Sequence, residues 1–302
     1  MNTLHNEILS DIETIKQDDS LFQEKNFNGR LNAIDFIEFH IIDRINGLLE
    51  NADSFSQLEK WKQSALILKN NLESIDVRIF QQLRADISQG RLRGQALMDL
   101  LHEYPDFNLT TETTSDFTGY DNLDIFLNGL LSFEDLPPET RNREPEMVFY
   151  QKTPARIILD LIVKAAFKPT DVFFDLGSGL GQATILVNLI CCIVSKGVEF
   201  EPAFCNYARS CATGLHLNDV EFIHSDARYA DYSTGTIFFM YTPFKGQMLQ
   251  EVLQNLKQEA KNRKIKIFTY GPCTPEVARQ KWLINKKEIQ DYLKEPGEFH
   301  SI

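Results

Sequence analysis

The chain has 302 residues, enough for two domains with substantial cores, and its formal net charge is −12. Such an acidic balance repels phosphate backbones, so general nucleic-acid binding is not expected. The five cysteines form no CxxC pair and have no metal-like spacing with histidine, so neither a metal site nor a disulfide framework is predicted.

The first part of the chain predicts long helices and no targeting segment. The opening MNTLHNEILSDIETIK carries acidic residues where a signal peptide would carry a basic and then an apolar run. Further along, apolar residues repeat at steps of three and four, which is typical of amphipathic helices. They form two stripes: Ile34, Ile37, Ile41, Ile45 and Leu48, followed by Leu58, Trp61, Ala65, Leu68, Leu72, Ile75 and Ile79.

A turn at residues 50–54 separates the stripes and predicts an antiparallel helical hairpin within an N-terminal α-helical domain, residues 1–105. The stripes either pack on each other and on the following domain or form a docking surface, through which the chain would form a homo-oligomer. Residues 106–146 are rich in Thr, Asp, Asn and Pro. This composition predicts either an irregular linker at the rim of an active site or a disordered loop.

From residue 147 to residue 302, short apolar strands alternate with helices. Strands are predicted at 171–174, 197–199, 220–223, 237–240 and 265–270, and helices at 182–194, 202–215 and 248–256. Thr153 is predicted to cap a further helix that begins at Pro154. The alternation predicts an α/β fold with a doubly wound, Rossmann-like, mostly parallel sheet, whose ligand lies beyond the carboxyl ends of the strands. The longest apolar stretch, 183–194, is too short to span a bilayer, so we expect a cytoplasmic protein without membrane contact.

The first functional motif is DLGSGLG, which lies between a predicted strand and a predicted helix. Its small residues let the backbone turn sharply and approach a ligand: Gly177, Ser178, Gly179 and Gly181. The Asp175 carboxylate would repel a pyrophosphate, and Gln182 stands where a dinucleotide fingerprint has its third glycine. S-adenosylmethionine (SAM) has no phosphate and carries an ammonium group that favours a nearby carboxylate. The sequence therefore predicts SAM as the cofactor.

Residues after the next strands complete the predicted cofactor site. Glu199, at the end of the second strand, can accept hydrogen bonds from both ribose hydroxyls. Asp226, which Ala227 follows, comes after the third strand and can accept from an adenine amino group. After the fourth strand, Tyr241 begins the run YTPF, whose aromatic residues suit a sulfonium cation and exclude water from a methyl-transfer channel.

With these motifs, residues 150–302 resemble class I SAM-dependent methyltransferases, and most closely the non-SET histone lysine methyltransferase family. The resemblance rests on FYQKTP, FDLGSGLGQ and GVE. It implies that Tyr150 and Thr153 cover the methionine end of SAM and that Gln182 contacts the cofactor from the first turn of its helix. The chain departs from that family after the fourth strand, where Met240 and Tyr241 stand in place of asparagines.

The expected activity is transfer of a methyl group from SAM to a protein side chain, with lysine as one candidate, or to another acceptor. In-line displacement needs aligned partners and a dry channel more than it needs acid–base groups. Tyr241 and Tyr150 are the predicted catalytic residues, which would orient the acceptor. The alternatives are a small-molecule methyltransferase, a non-catalytic SAM-binding or scaffold protein and, less favoured, an NAD-dependent oxidoreductase.

Overall fold

The structure is a computed structural model that describes residues 2–50, 56–104, 119–132, 136–286, 291 and 295–302. These residues belong to two compact units, one within Met1–Leu83 and Leu100–Phe107, the other within Arg84–Asp99 and Asn108–Ile302. Most of the turn predicted at 50–54 and part of the predicted linker lie outside the described residues. The domain boundaries at 105 and 146 stay a prediction.

The N-terminal helices bury most of the apolar stripe residues, although Ile34, Leu48 and Trp61 are only partly buried. The helices are α1 (Asn2–Gln17), α2 (Phe27–Phe36), α3 (Asp43–Leu49), α4 (Ser56–Ser88) and α5 (Gln95–Glu103), with a 3-10 turn at Asp19–Phe22 and a π-helical turn at Ile37–Ile42. Ile41 and Leu72, one from each stripe, are fully buried. Within the first unit, the buried Arg30 of α2 forms an ion pair with Asp76 of α4, with Nη2 and Oδ1 2.7 Å apart. Removing either partner would leave a buried charge unpaired, so this pair holds the two helices in one register.

The second unit is built around a sheet. Its strands are β1 (Val172–Leu176), β2 (Val194–Glu199), β3 (Val220–His224), β4 (Ile237–Met240), β5 (Lys266–Thr269), β6 (Leu283–Asn285) and β7 (Gly297–Ser301). Within the described ranges these strands form one sheet of order β3-β2-β1-β4-β5-β7-β6. Strands β1 to β5 pair in parallel, whereas β7 pairs antiparallel with β5 and with β6. The predicted Rossmann-like fold is confirmed, and its strand order reverses beside β1, where such sheets bind ligands.

Helices accompany the sheet, four at positions that the alternating pattern predicts and two, the first and the last, that it does not predict. They are α6 (Asn122–Leu131), α7 (Ala155–Ala165), α8 (Gln182–Cys191), α9 (Pro202–Gly214), α10 (Gly246–Glu259) and α11 (Thr274–Ala278). The central strands bury large aromatic side chains, among them Phe174 and Phe238, whose ring centroids are 5.5 Å apart. Each such side chain contributes about 1.5–3 kcal/mol of hydrophobic stabilisation. Within the described part of the chain, no helix combines the length and the apolar character needed to cross a bilayer.

Helix α6 lies inside the segment predicted as a linker, and it changes the start of α7. Asp121 caps α6, and Asp124, in the first turn, accepts a hydrogen bond from the Asp121 backbone N–H at 3.0 Å. The other Asp124 oxygen accepts from the Ala155 backbone N–H at 2.9 Å. The prediction that Thr153 caps this helix is therefore wrong: α7 begins at Ala155, Pro154 takes the N-cap position, and the cap is a carboxylate from α6.

Candidate active site

Two neighbouring cavities lie at the carboxyl edge of the sheet, where the loops after β1, β2, β3 and β4 meet. The larger has a volume of about 410 Å³ and is lined by predicted site residues from all four loops: Gly177, Glu199, Asp226, Ala227 and Tyr241. The smaller is lined by a second set of predicted residues: Thr153, Asp175, Ser178 and Gln182. Tyr150 lines both cavities. The parts of the site predicted to hold the methionine and the adenosine of the cofactor are therefore adjacent.

The glycine loop between β1 and α8 has a backbone that other residues rarely adopt. Gly177, Gly179 and Gly181 have φ angles of 76°, 53° and 85°. A Cβ atom at Gly179 would stand 2.1 Å from Cε2 of Tyr150. The Tyr150 ring therefore packs directly on the loop, at the boundary of the two cavities. This is where the resemblance places a residue that covers the methionine end.

The backbone N–H groups of the glycine loop are already used inside the protein. Those of Gly177 and Ser178 donate to the Val198 carbonyl at 2.8 and 3.0 Å, and that of Gly179 donates to Glu199 Oε2 at 2.8 Å. A pyrophosphate needs such groups as donors, and here it would also meet two carboxyl side chains. The loop is consequently unsuited to a dinucleotide, which disfavours the NAD-dependent alternative.

Asp175 is a strongly perturbed acid of the site. Its side chain is buried, and burial raises the pKa of the carboxyl to about 7, with Glu199 raising it further and a 3.4 Å hydrogen bond from Thr184 lowering it. The sequence predicts an anion here, but the group is about half protonated at neutral pH when no cation faces it. An ammonium group beside it would restore the carboxylate, so the position selects a cation.

Gln182 and Ser178 line the smaller cavity and have buried polar atoms without a hydrogen-bond partner among the described residues. Gln182 is 4% exposed, and neither amide atom has a hydrogen-bond partner among the described residues. The Ser178 hydroxyl is likewise buried and unpaired within this part of the chain. Buried polar groups without partners are destabilising and therefore uncommon. Next to Asp175, they fit the amino-acid end of SAM, which carries donors and acceptors on one carbon.

Glu199 ends β2 with both carboxylate oxygens engaged but not saturated. Oε2 accepts from Gly179 and Oε1 accepts from the Glu201 backbone N–H at 2.7 Å. Burial raises the pKa of this carboxyl, while the backbone donors lower it. A carboxylate has about four acceptor positions, so Glu199 retains capacity to accept from a ribose hydroxyl.

Asp226 has a partner that the sequence reasoning missed. The guanidinium of Arg228 contacts Asp226 Oδ2 at 2.6 Å and also reaches Glu144 Oε1 at 2.7 Å. Burial raises the pKa of the Asp226 carboxyl, but the hydrogen bonds from Arg228 outweigh it and hold the pKa below its ordinary value. The pairing keeps Asp226 ionised on the wall of the larger cavity, as an adenine-amino acceptor requires.

Aromatic residues line one end of the larger cavity, where Tyr241 also lines the smaller one. The rings of Tyr241 and Tyr270 lie 5.6 Å apart at an angle of 32°. Thr242, the next residue, has a φ of 44°, and its hydroxyl donates to the Tyr270 carbonyl at 2.7 Å. A left-handed residue before a proline is strained, and this hydrogen bond ties the loop after β4 to the loop after β5. Burial raises the pKa of both Tyr241 and Tyr150, so both stay protonated at neutral pH.

A segment before α7 lines the larger cavity with residues between Glu139 and Gln151 and is held in place by hydrogen bonds at two positions. Near its start, the Thr140 hydroxyl donates to Glu201 Oε1 at 2.6 Å. Near its end, the Glu146 carboxylate accepts from the backbone N–H groups of Gln247 and Met248, which open α10, at 2.9 and 2.7 Å. No local pattern in the sequence indicates these contacts, because they join residues 61 to 102 positions apart.

Within the described residues, no cluster of His, Cys, Asp and Glu is arranged to hold a metal ion.

A sequence family matches the part of the chain that carries this site. Residues 146–269 match the family described as histone methylation protein DOT1. The matched segment contains every predicted site residue, from Tyr150 to Tyr241. It confirms the predicted relation to a non-SET histone methyltransferase family, and with it the enzyme class and the SAM cofactor. No curated protein matches the chain.

Several solved structures are similar to part of this chain. An RNA methyltransferase from Salinibacter ruber, in complex with S-adenosylhomocysteine, is 21% identical over 50% of this chain and 92% of its own, with a TM-score of 0.40. A SAM-dependent methyltransferase from Aquifex aeolicus is 19% identical over 49% of this chain and 92% of its own, with a TM-score of 0.36. One from Thiobacillus denitrificans is 20% identical over 38% of this chain and 47% of its own, with a TM-score of 0.32.

Proposed function

We propose that this class I SAM-dependent methyltransferase, related to DOT1 through residues 146–269, methylates a protein side chain, with the lysine amine as first candidate. The observation that carries the proposal is the mouth of the larger cavity. Phe149 lines the cavity and is 63% exposed, and its neighbour Val148 is 39% exposed. In a pocket for a small molecule, the apolar lining residues surround the ligand and are mostly buried. Apolar side chains that are exposed to solvent at a cavity mouth are instead typical of a surface that contacts a macromolecule.

The aromatic end of the cavity supports a basic side chain as the acceptor. A lysine ammonium is attracted to the faces of aromatic rings such as Tyr241 and Tyr270. Its desolvation in the channel would lower its pKa and favour the neutral, nucleophilic amine. The description of the matched family as histone methylation proteins agrees with a protein acceptor.

The chain's own residues bind and align rather than move protons. When bound, SAM supplies a methyl group on a sulfonium, which is already a good leaving group. Asp175 and Gln182 would hold its amino-acid end, Glu199 its ribose and Asp226 its adenine. Tyr241 remains protonated and acts by orienting the acceptor and excluding water.

The proposal is tested by incubating the chain with methyl-labelled SAM and two fractions of a cell extract, proteins and low-mass metabolites. We expect label in the protein fraction, on lysine, as identified by mass spectrometry of the digested product. Phe149→Ser should raise the KM for the protein acceptor several-fold and leave S-adenosylhomocysteine binding unchanged. Tyr229→Ser is the matched control, because Tyr229 is 78% exposed and does not line the cavity.

Two results would contradict the proposal. Label in the metabolite fraction alone would support the small-molecule alternative. Cofactor binding without transfer into either fraction would support a non-catalytic scaffold.

A further inference from the structure

Lys152 stands at the smaller cavity without a role in the site described above. It lines that cavity together with Asp175 and Gln182. Its Nζ donates a hydrogen bond to Asn128 Oδ1 of α6, and its side chain is half-buried. Burial lowers the pKa of the amine to about 8, although Asp124 of α6 raises it. A lysine held partly out of water, beside buried polar atoms, suits a ligand that carries a negative charge.

The residues of this cavity can bind both charges of an α-amino acid. The carboxyl of Asp175 can bind the ammonium group of such a ligand. The amide of Gln182 offers one donor and one acceptor, both without a partner among the described residues. A carboxylate on the same carbon as the ammonium would still need a cation, and Lys152 is the cationic side chain that lines the cavity.

We propose that Lys152 binds the carboxylate of the cofactor's amino-acid end, so that the site recognises a complete α-amino acid. This inference rests on the cofactor of the proposed function and not on its acceptor. The smaller cavity has a volume of about 30 Å³, room for about two water molecules. The rest of the amino-acid end would lie in the adjoining larger cavity, and the flexible Lys152 side chain would exchange Asn128 for the ligand carboxylate.

Calorimetry with two ligands isolates this contact. S-adenosylhomocysteine carries the carboxylate, and its decarboxylated analogue keeps the ammonium group but lacks the carboxylate. Lys152→Gln should weaken binding of S-adenosylhomocysteine about ten-fold or more and change binding of the analogue less than about two-fold. Lys152→Arg should recover part of the loss, because it restores the charge.

Lys164→Gln is the matched control. Lys164 lies on the surface of α7, where it pairs with Asp160 at 2.6 Å, so this change should leave both affinities unaltered. If Lys152→Gln lost affinity for both ligands equally, Lys152 would have a merely structural role and the proposal would be overturned. An unchanged affinity for S-adenosylhomocysteine would also overturn it.

Proton exchange on binding gives a second readout. Near pH 8 the Lys152 amine is about half neutral, and Asp175, with a pKa of about 7, is mostly ionised. The carboxylate favours the charged lysine, so binding of S-adenosylhomocysteine should take up protons in the wild type and fewer in Lys152→Gln. Calorimetry in buffers of different ionisation enthalpy measures this difference. Failure of the wild type to bind S-adenosylhomocysteine would overturn the cofactor as well, whereas binding with methyl transfer into the metabolite fraction alone would overturn only the proposed acceptor.

Discussion

At Asp175, burial raises the pKa of the carboxyl from 3.8 to about 7, since a buried anion has lost its hydration. The folded protein binds more protons at this site than the unfolded chain between those two values. The free energy of unfolding therefore falls as pH rises from about 4 to 7. A ligand ammonium reverses the preference, because it stabilises the ionised form. Binding and stability thus favour different protonation states of one residue.

Asp175→Asn should separate these two effects. At pH 8 the variant should bind S-adenosylhomocysteine about ten-fold or more weakly, because the amide cannot oppose the ammonium charge. The same variant without ligand should be more stable by about 1–3 kcal/mol, because it no longer buries a carboxylate. Calorimetry and thermal unfolding at pH 8 measure the two quantities.

The pH dependence supplies the control for Asp175. Wild-type affinity should fall as pH decreases from 8 to 6, through the pKa of about 7, and Asp175→Asn should lose that part of the dependence. Glu199→Gln should keep the dependence but move it to lower pH, because Glu199 no longer raises the pKa of Asp175. Loss of both affinity and stability in Asp175→Asn would mean that the residue serves the fold alone.

At the scale of elements, the glycine loop and Tyr150 form one unit that shapes the boundary of the two cavities. Gly179→Ala should be destabilising in two ways. The left-handed backbone, with a φ of 53°, is unfavourable for alanine by about 1–2 kcal/mol, and the new Cβ would collide with the Tyr150 ring. Displacing that ring should also weaken S-adenosylhomocysteine binding by more than about ten-fold. Urea unfolding and calorimetry measure the two changes.

Gly90→Ala isolates the contribution of backbone strain. Gly90 has a φ of 73°, and a Cβ there would meet nothing within 4 Å. This variant should lose about the same 1–2 kcal/mol from strain and bind S-adenosylhomocysteine as the wild type does. If the two variants bind equally well, the contact between Tyr150 and the loop has no part in ligand binding.

The sheet and its cofactor loops were predictable because their information is local. Strand β4 was predicted with the bounds it has in the structure, since IFFM is a short apolar run between turn residues. The loop from Asp175 to Gly181 was predictable from its own residues. The spacing of the glycines indicates a sharp turn, and Asp175 places an acidic group at its start. Strand β7 was not predicted, because GEFHS alternates apolar and polar residues too briefly to stand out, and its pairing with β5 is what makes it a strand.

The rest of the site could not be read from neighbouring residues. Lys152 and Arg228 each have a partner far away in the sequence, Asn128 and Glu144 respectively. Thr153 looked like a helix cap because its own sequence context fits one, yet Asp124 performs that function from 31 residues away. Hydrogen bonds between distant segments leave no period or motif, so a single sequence does not indicate them.

At the scale of the whole molecule, charge sets which acceptors approach. The chain has 43 acidic and 31 basic residues, so its surface repels anionic partners and attracts basic ones at long range. Added salt screens such attraction, since the Debye length falls from about 10 Å at 0.1 M to about 3 Å at 1 M. The cofactor product S-adenosylhomocysteine has no net charge at neutral pH, so its binding should be far less sensitive to salt than the approach of a charged acceptor.

Methyl transfer to a basic protein acceptor should therefore depend on ionic strength while cofactor binding does not. At subsaturating acceptor, we expect the rate to fall several-fold between about 0.05 M and 0.5 M salt, because the encounter loses its electrostatic attraction. The dissociation constant of S-adenosylhomocysteine, measured in the same buffers, should change less than about two-fold. A rate that is flat across this range would mean that the acceptor is neutral. A rate that rises with salt would mean that the acceptor is acidic and overcomes the repulsion of the chain, in which case the charge of the molecule opposes its own substrate.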